Sequence, residues 1–192
     1  MENTKNEVII ANETPSPTPL GLCAFGMATI LLSLANAGLT GLSSTVIAMA
    51  VFAGGFAIVI TGLLEWKKNN MFGFITFGGF GFFWFSFAAI LLLPEMGLAA
   101  SPTAIEMAAF LLVWTLLLLG LIICALRMGG LLLATLVFLL LLFVFLILGN
   151  ITGMALLITL GGYAGIITGI LALYMGIAGT VNDVCKETVL PL

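Results

Sequence analysis

The chain has 192 residues, of which 62% are hydrophobic and 7% charged: five Lys or Arg, eight Asp or Glu and no histidine. With a net charge of −3, a pI near 4.6 and a mean hydropathy of +1.34, it has too little polar surface to clothe a globule in water. That excludes an ordinary soluble domain, and the absence of basic clusters gives no footing for a nucleic-acid partner.

The first 19 residues form a polar tail in which Pro15, Pro17 and Pro19 favour extended backbone leading into a helix. The first apolar run, Leu20 to Ala37, carries Phe25, Thr29, Ser33 and Asn36 at spacings of four, four and three. At 100° per residue these share an arc of about 80°. Polar groups in a hydrocarbon span face protein or water, so the stripe is either a helix-contact seam or one wall of a pathway. Ala35, Asn36 and Ala37 resemble a signal-peptide cleavage site, but the preceding tail holds Glu2, Glu7 and Glu13 against Lys5, and the run exceeds a signal core. We therefore read it as a retained span.

Further runs follow from Thr45 to Leu64, Phe72 to Leu93, Met107 to Leu126, Leu131 to Leu148 and Met154 to Ala178, none with a charged residue. Each suffices for a helix across a core about 30 Å thick, whereas barrel strands would be about ten residues long and alternate in polarity. The predicted fold is all-α: a six-helix transmembrane bundle over residues 20–178, flanked by tails at 1–19 and 179–192. In the third run Gly78, Gly79 and Gly81 alternate with Phe77, Phe80, Phe82, Phe83 and Phe85, before Trp84 closes the cluster, a pattern for close helix approach beside rings that fill or narrow a space. The last run repeats Gly161, Gly165 and Gly169 in four-residue steps, with Ala172 and Gly176 nearly in line, a seam for helix packing or for subunit assembly.

Six crossings place both tails on one side with the connections at Glu65 to Met71 and Arg127 to Gly130, and Lys5, Lys67, Lys68, Arg127 and Lys186 all fall there. The other side, Gly38 to Ser44, Pro94 to Glu106 and Gly149 to Gly153, has neither Lys nor Arg, so both termini are expected in the cytoplasm. Asn150-Ile151-Thr152 matches a glycosylation sequon but abuts a span in a short loop, and is read as chance.

Cys23, Cys124 and Cys185 are too scattered for a disulfide framework, and without histidine there is no support for a metal centre, haem or a catalytic triad. No cofactor is expected. Glu95 and Glu106 in one loop are too thin a basis for an enzyme.

Several blocks in order resemble one family. Pro17-Thr18-Pro19-Leu20-Gly21-Leu22 is similar to its N-terminal signature, with Phe25-Gly26-Met27 after it; Gly62-Leu63-Leu64-Glu65-Trp66-Lys67-Lys68-Asn69 resembles its second loop; Phe83-Trp84, Leu148-Gly149-Asn150-Ile151 and Thr188-Val189-Leu190-Pro191 continue the match. The family is the acetate uptake transporters, whose bacterial members include the succinate-acetate permeases. The resemblance implies a homo-hexamer in the plasma membrane, each protomer with its own pathway for acetate or related small carboxylates and a hydrophobic constriction at Phe25, Phe80 and Leu139. Phe80 stands where a tyrosine is common, Ser16 where the signature has asparagine and Ile58 where some members have glutamine, so the pathway is expected to be unusually apolar. Ala172 aligns with a position tied to substrate choice. Thr29, Ser33, Asn36 and Asn150 complete the expected lining.

A bare carboxylate in a dry slot costs tens of kcal/mol, whereas protonating a carboxyl of pKa about 4.3 at pH 7 costs about 4 kcal/mol. Passage is therefore by the neutral acid, or with hydroxyls, amides, backbone groups and water replacing hydration on either side of a short dry step. A coupled proton would ride on the substrate or use Glu65 at the membrane boundary, unless Glu65 only pairs with Lys68 or caps its helix. A channel for another small solute, or a bundle without transport, is the competing reading.

Overall fold

A computed structural model describes residues 14–192. Lys5, Glu2, Glu7 and Glu13 lie outside the described residues. Within them the chain is all-helical, with no strand, and contains six helices long and apolar enough to cross a membrane: α1 Thr18–Asn36, α2 Ser44–Lys67, α3 Met71–Glu95, α4 Ala104–Ala125, α5 Gly130–Thr152 and α6 Ala155–Cys185.

The helix ends follow local chemistry. Pro19 sits in the first turn of α1, where its missing N–H is no loss. Asn70 Oδ1 caps α3 by accepting from Gly73 N at 3.1 Å, and Thr103 and Glu106 close a reciprocal capping box on α4. Left-handed residues follow five of the helices: Gly38 (φ 75°) beyond α1, Asn69 (φ 57°) beyond α2, Gly97 (φ 70°) beyond α3, Gly153 (φ 71°) beyond α5 and Lys186 (φ 59°) beyond α6.

Several boundaries differ from the apolar runs. α6 continues past Ala178 to Cys185, α3 absorbs Pro94, and α5 absorbs Gly149 and Asn150, which the turn-like residues had assigned to a loop. Asn150 satisfies itself within the helix by donating to the Leu146 carbonyl at 2.8 Å. A stretch of α2, Ala50–Ala57, is π-helical, and Gly54 and Gly55 there accept the side chains of Trp84 and Phe85, which stand within 2.6 Å of where a Cβ would be.

The helices close into a ring in chain order: α1 packs along α2 and α6, α6 along α5, α5 along α4, and α2 along α3. The glycine seam of α6 is intramolecular. A Cβ on Gly169 would meet the Gly26 carbonyl at 2.8 Å, and one on Gly26 would meet the Gly169 carbonyl at 2.6 Å, so the backbones of α1 and α6 touch directly. The exception to close packing is α3 against α4, the neighbours whose backbones approach least. Aromatic rings fill that gap: Phe83 lies 5.5 Å from Phe110 and 5.6 Å from Trp114, and Phe80 lies 6.5 Å from Trp114. Outward positions such as Leu112, Val113, Leu116 and Ile123 of α4 are exposed, which suits a solvent of acyl chains.

Candidate functional site

Two cavities lie inside the ring. One, of about 1290 Å³, opens among the helix ends nearest the described termini and is walled by Ser16, Thr18, Asn70, Thr76, Thr135 and Ala172 among others. The second, of about 320 Å³, lies toward the opposite end and is walled by Thr29, Ser33, Asn36, Trp84, Phe143 and Asn150 among others. We call them the terminal and distal cavities. The distal one has room for roughly ten waters at liquid density.

Three side chains line both cavities: Phe25 of α1, Phe80 of α3 and Leu139 of α5. The Phe25 and Phe80 rings stand 5.9 Å apart and tilted by 58°. Phe80 and Leu139 are almost fully buried, and all three helices run in the same direction through the bundle. The wall between the cavities is therefore apolar.

Of the remaining sequence candidates, Thr29, Ser33, Asn36 and Asn150 line the distal cavity and Ala172 the terminal one. Ser33 is packed under α6, where Gly165 leaves room for its hydroxyl. The α1 stripe thus packs against α6 through Ser33 and faces the distal cavity with Phe25, Thr29, Ser33 and Asn36. Ser16 is on the terminal wall, but Ile58, fully buried, is among the lining side chains of neither cavity.

Glu65 is 2% exposed and stands behind the terminal wall. It accepts from Thr18 Oγ1 and, at 2.8 Å, from Asn70 Nδ2, so it ties the start of α1 and the turn before α3 to the end of α2. The expected pairing with Lys68 does not form; Lys68 Nζ instead donates to the Thr14 carbonyl. Among the described lining residues the distal cavity has no charged side chain, and the carboxylate of the terminal cavity, Asp183, is held by Lys186 at 3.1 Å.

Several polar lining residues escaped the sequence reading, among them Asn70, Thr76, Trp84 and Thr135. Thr76 and Trp84 are each four residues from Phe80 on α3, and that spacing was the available signal for them.

The sequence profile of the GPR1/FUN34/yaaH family matches residues 3–191. The chain belongs to the GPR1/FUN34/yaaH family. Within it, the succinate-acetate/proton symporter SatP of Escherichia coli K12 is 40% identical over 192 residues, covering 100% of this chain and 98% of that one. An uncharacterised protein of Methanothermobacter thermautotrophicus is 38% identical over 194 residues, covering 97% of this chain and 95% of its own length. The solved structure of the bacterial acetate channel SatP superimposes with a TM-score of 0.92 at 39% identity, over 94% of this chain and 99% of that one. Transporters and channels, not enzymes, are thus the company this GPR1/FUN34/yaaH member keeps, and its fold is the six-helix fold of that channel.

Proposed function

We propose that this chain carries acetate and related small carboxylates across the plasma membrane, through a path from the terminal cavity to the distal one. The observation that carries the reading is that Phe25, Phe80 and Leu139 are shared by both cavity walls, so a solute moving between them passes that apolar ring. The names of the relatives supply the substrate class. On either side, hydroxyls and amides of Thr29, Asn36 and Asn150 in the distal cavity and Thr76 in the terminal one replace part of a carboxylate's hydration, and the ring is the short dry step. Ala172, fully buried on the terminal wall, sets the width of the approach.

The relatives' names divide between a proton symporter and a channel. No ionisable side chain among the described residues lines the ring or the distal cavity. A proton that crosses the ring therefore travels on the substrate, at the cost of about 4 kcal/mol already given for protonation at pH 7. Glu65, held by Thr18 and Asn70, shapes the terminal mouth. The cations Lys67, Lys68, Arg127 and Lys186 cluster at the terminal end, which supports cytoplasmic termini. Assembly as a homo-hexamer, each copy with its own path, belongs to the same reading.

The test is labelled-acetate flux into proteoliposomes. Wild-type protein is expected to carry saturable flux above protein-free vesicles, and Ala172→Phe, which fills the approach, to lose most of it. Wild-type flux equal to protein-free vesicles would sink the reading; undiminished flux in Ala172→Phe would sink only the assigned path.

A further inference from the structure

Past the end of α6 the chain does not run off into solvent. Lys186 adopts the left-handed conformation (φ 59°) and turns residues 187–192 back along the helix they have just left. Asn182, in the last turn of α6, holds them there. Its Nδ2 donates to the Leu190 carbonyl at 2.7 Å, and its Oδ1 accepts from the backbone N–H groups of Val189 and Leu190, both at 2.9 Å. Tyr174, about two turns earlier on α6, donates its hydroxyl to the Pro191 carbonyl at 2.7 Å. Two side chains of one helix thus converge on three consecutive residues of the returning chain. Every backbone donor of 189–191 is taken, since Pro191 has none.

The tip of this segment, Leu192, lines the terminal cavity, together with Gly179, Thr180 and Asp183 of α6 and with Pro15 and Ser16 ahead of α1. Leu192 is also 67% exposed, which places it at the mouth, between cavity and solvent. The hold on the segment is light. Of residues 187–192 only Leu190 is even half-buried, and the bond from Tyr174 is open to water. Few apolar contacts and solvent-exposed hydrogen bonds put a segment at the low end of local stability. Its release leaves all six spans intact.

We propose that residues 187–192 are a strap that gates the terminal mouth. Clasped by Asn182 and Tyr174, the strap keeps Leu192 in the opening and restricts entry to the terminal cavity; unclasped, it admits solute. Leu192 obstructs by volume alone, since its side chain offers neither charge nor hydrogen bond. Gating of acetate rests on the transport reading above, whereas gating of access to the cavity does not.

Two native cysteines make access measurable. Cys23 of α1 lines the terminal cavity, and Cys124 of α4 is exposed and lines neither cavity. The full chain in detergent micelles is treated with N-ethylmaleimide, and the rate at each cysteine is read by peptide mass spectrometry. Asn182→Ala is expected to speed alkylation of Cys23 about tenfold, the population shift that follows the loss of about one net hydrogen bond, with Cys124 unchanged. Deletion of residues 187–192, which leaves every helix residue in place, gives the same result and stands in should Asn182→Ala not fold. In proteoliposomes both variants raise acetate flux. Leu192→Trp enlarges the tip with both clasps kept, and lowers it. An unchanged rate at Cys23, or an equal gain at Cys124, overturns the strap. So does a fall in flux on deleting 187–192, which would make the segment a brace for α6. Absence of wild-type acetate flux defeats the transport reading, while the rate at Cys23 still decides whether the strap controls access.

Discussion

Gly26→Ala isolates one direct backbone contact between α1 and α6. The new Cβ would stand 2.6 Å from the Gly169 carbonyl oxygen and 2.7 Å from Leu173 N, both backbone atoms that no rotamer change can move aside. Restoring ordinary van der Waals contact, which begins near 3.4 Å, takes about 0.8 Å of separation between α1 and α6 at this crossing. Overpacking of this kind costs about 1 to 3 kcal/mol, and in a chain of this length that lowers the melting temperature by between about 2 and 12 °C. The control lies in the same molecule: a Cβ on Gly120 of α4 meets nothing within 4 Å, so Gly120→Ala changes no packing and is neutral or slightly stabilising through helix propensity. Both are measured by thermal melting of the detergent-solubilised protein, followed by helical circular dichroism. The displacement also carries Phe25, the residue before Gly26, so acetate flux changes in the first variant and not in the second. Equal melting temperatures for Gly26→Ala and Gly120→Ala would refute the claim that direct backbone contact holds these helices together.

Three further outcomes follow from the same geometry. Glu65→Gln turns an amide N–H₂ toward one of the two donors, Thr18 Oγ1 or Asn70 Nδ2, and is expected to cost about 1 to 3 kcal/mol, read as a lower melting temperature; an unchanged melt contradicts the tie between the three helices. Thr103→Ala removes the α4 capping box and about 1 kcal/mol of stability, a fall of about 2 to 4 °C in the same assay, with acetate flux intact because neither Thr103 nor Glu106 walls a cavity. An imposed pH gradient, acidic on the source side, is expected to drive acetate accumulation in liposomes for wild type and Glu65→Gln alike; no response in the wild type contradicts a substrate-borne proton, and loss of the response only in the variant assigns the proton to Glu65.

The crossings were legible because bilayer thickness and the burial of charge act on long stretches of chain, and hydropathy sums over them. Helix ends were not, since hydropathy marks where lipid stops and not where backbone hydrogen bonding stops. The segment Gly179 to Cys185 is too polar to count as a span, yet α6 keeps its hydrogen bonds until Lys186 turns left-handed. Gly149 and Asn150 read as a turn by composition, but Ile158 of α6 occupies the space a Cβ on Gly149 would need, so the glycine is there for close packing within the helix. The α1 stripe was visible as a periodicity, whereas its purpose depended on which helices face it. Thr76 and Trp84 stayed hidden because their neighbours in sequence are glycines and phenylalanines; only the unmade hydrogen bonds of their buried side-chain atoms separate them from packing residues. The π-helical stretch of α2 had no local signature beyond Gly54 and Gly55, and those glycines answer to Trp84 and Phe85 on another helix.

The closure of the six helices in chain order has a consequence for dosage. The described walls of both cavities are built from residues of one polypeptide, so the proposed reading makes each copy a path of its own. Mixing blocked and intact chains should therefore reduce flux in simple proportion to the blocked fraction, with none of the steep poisoning seen when several subunits must jointly build one pore.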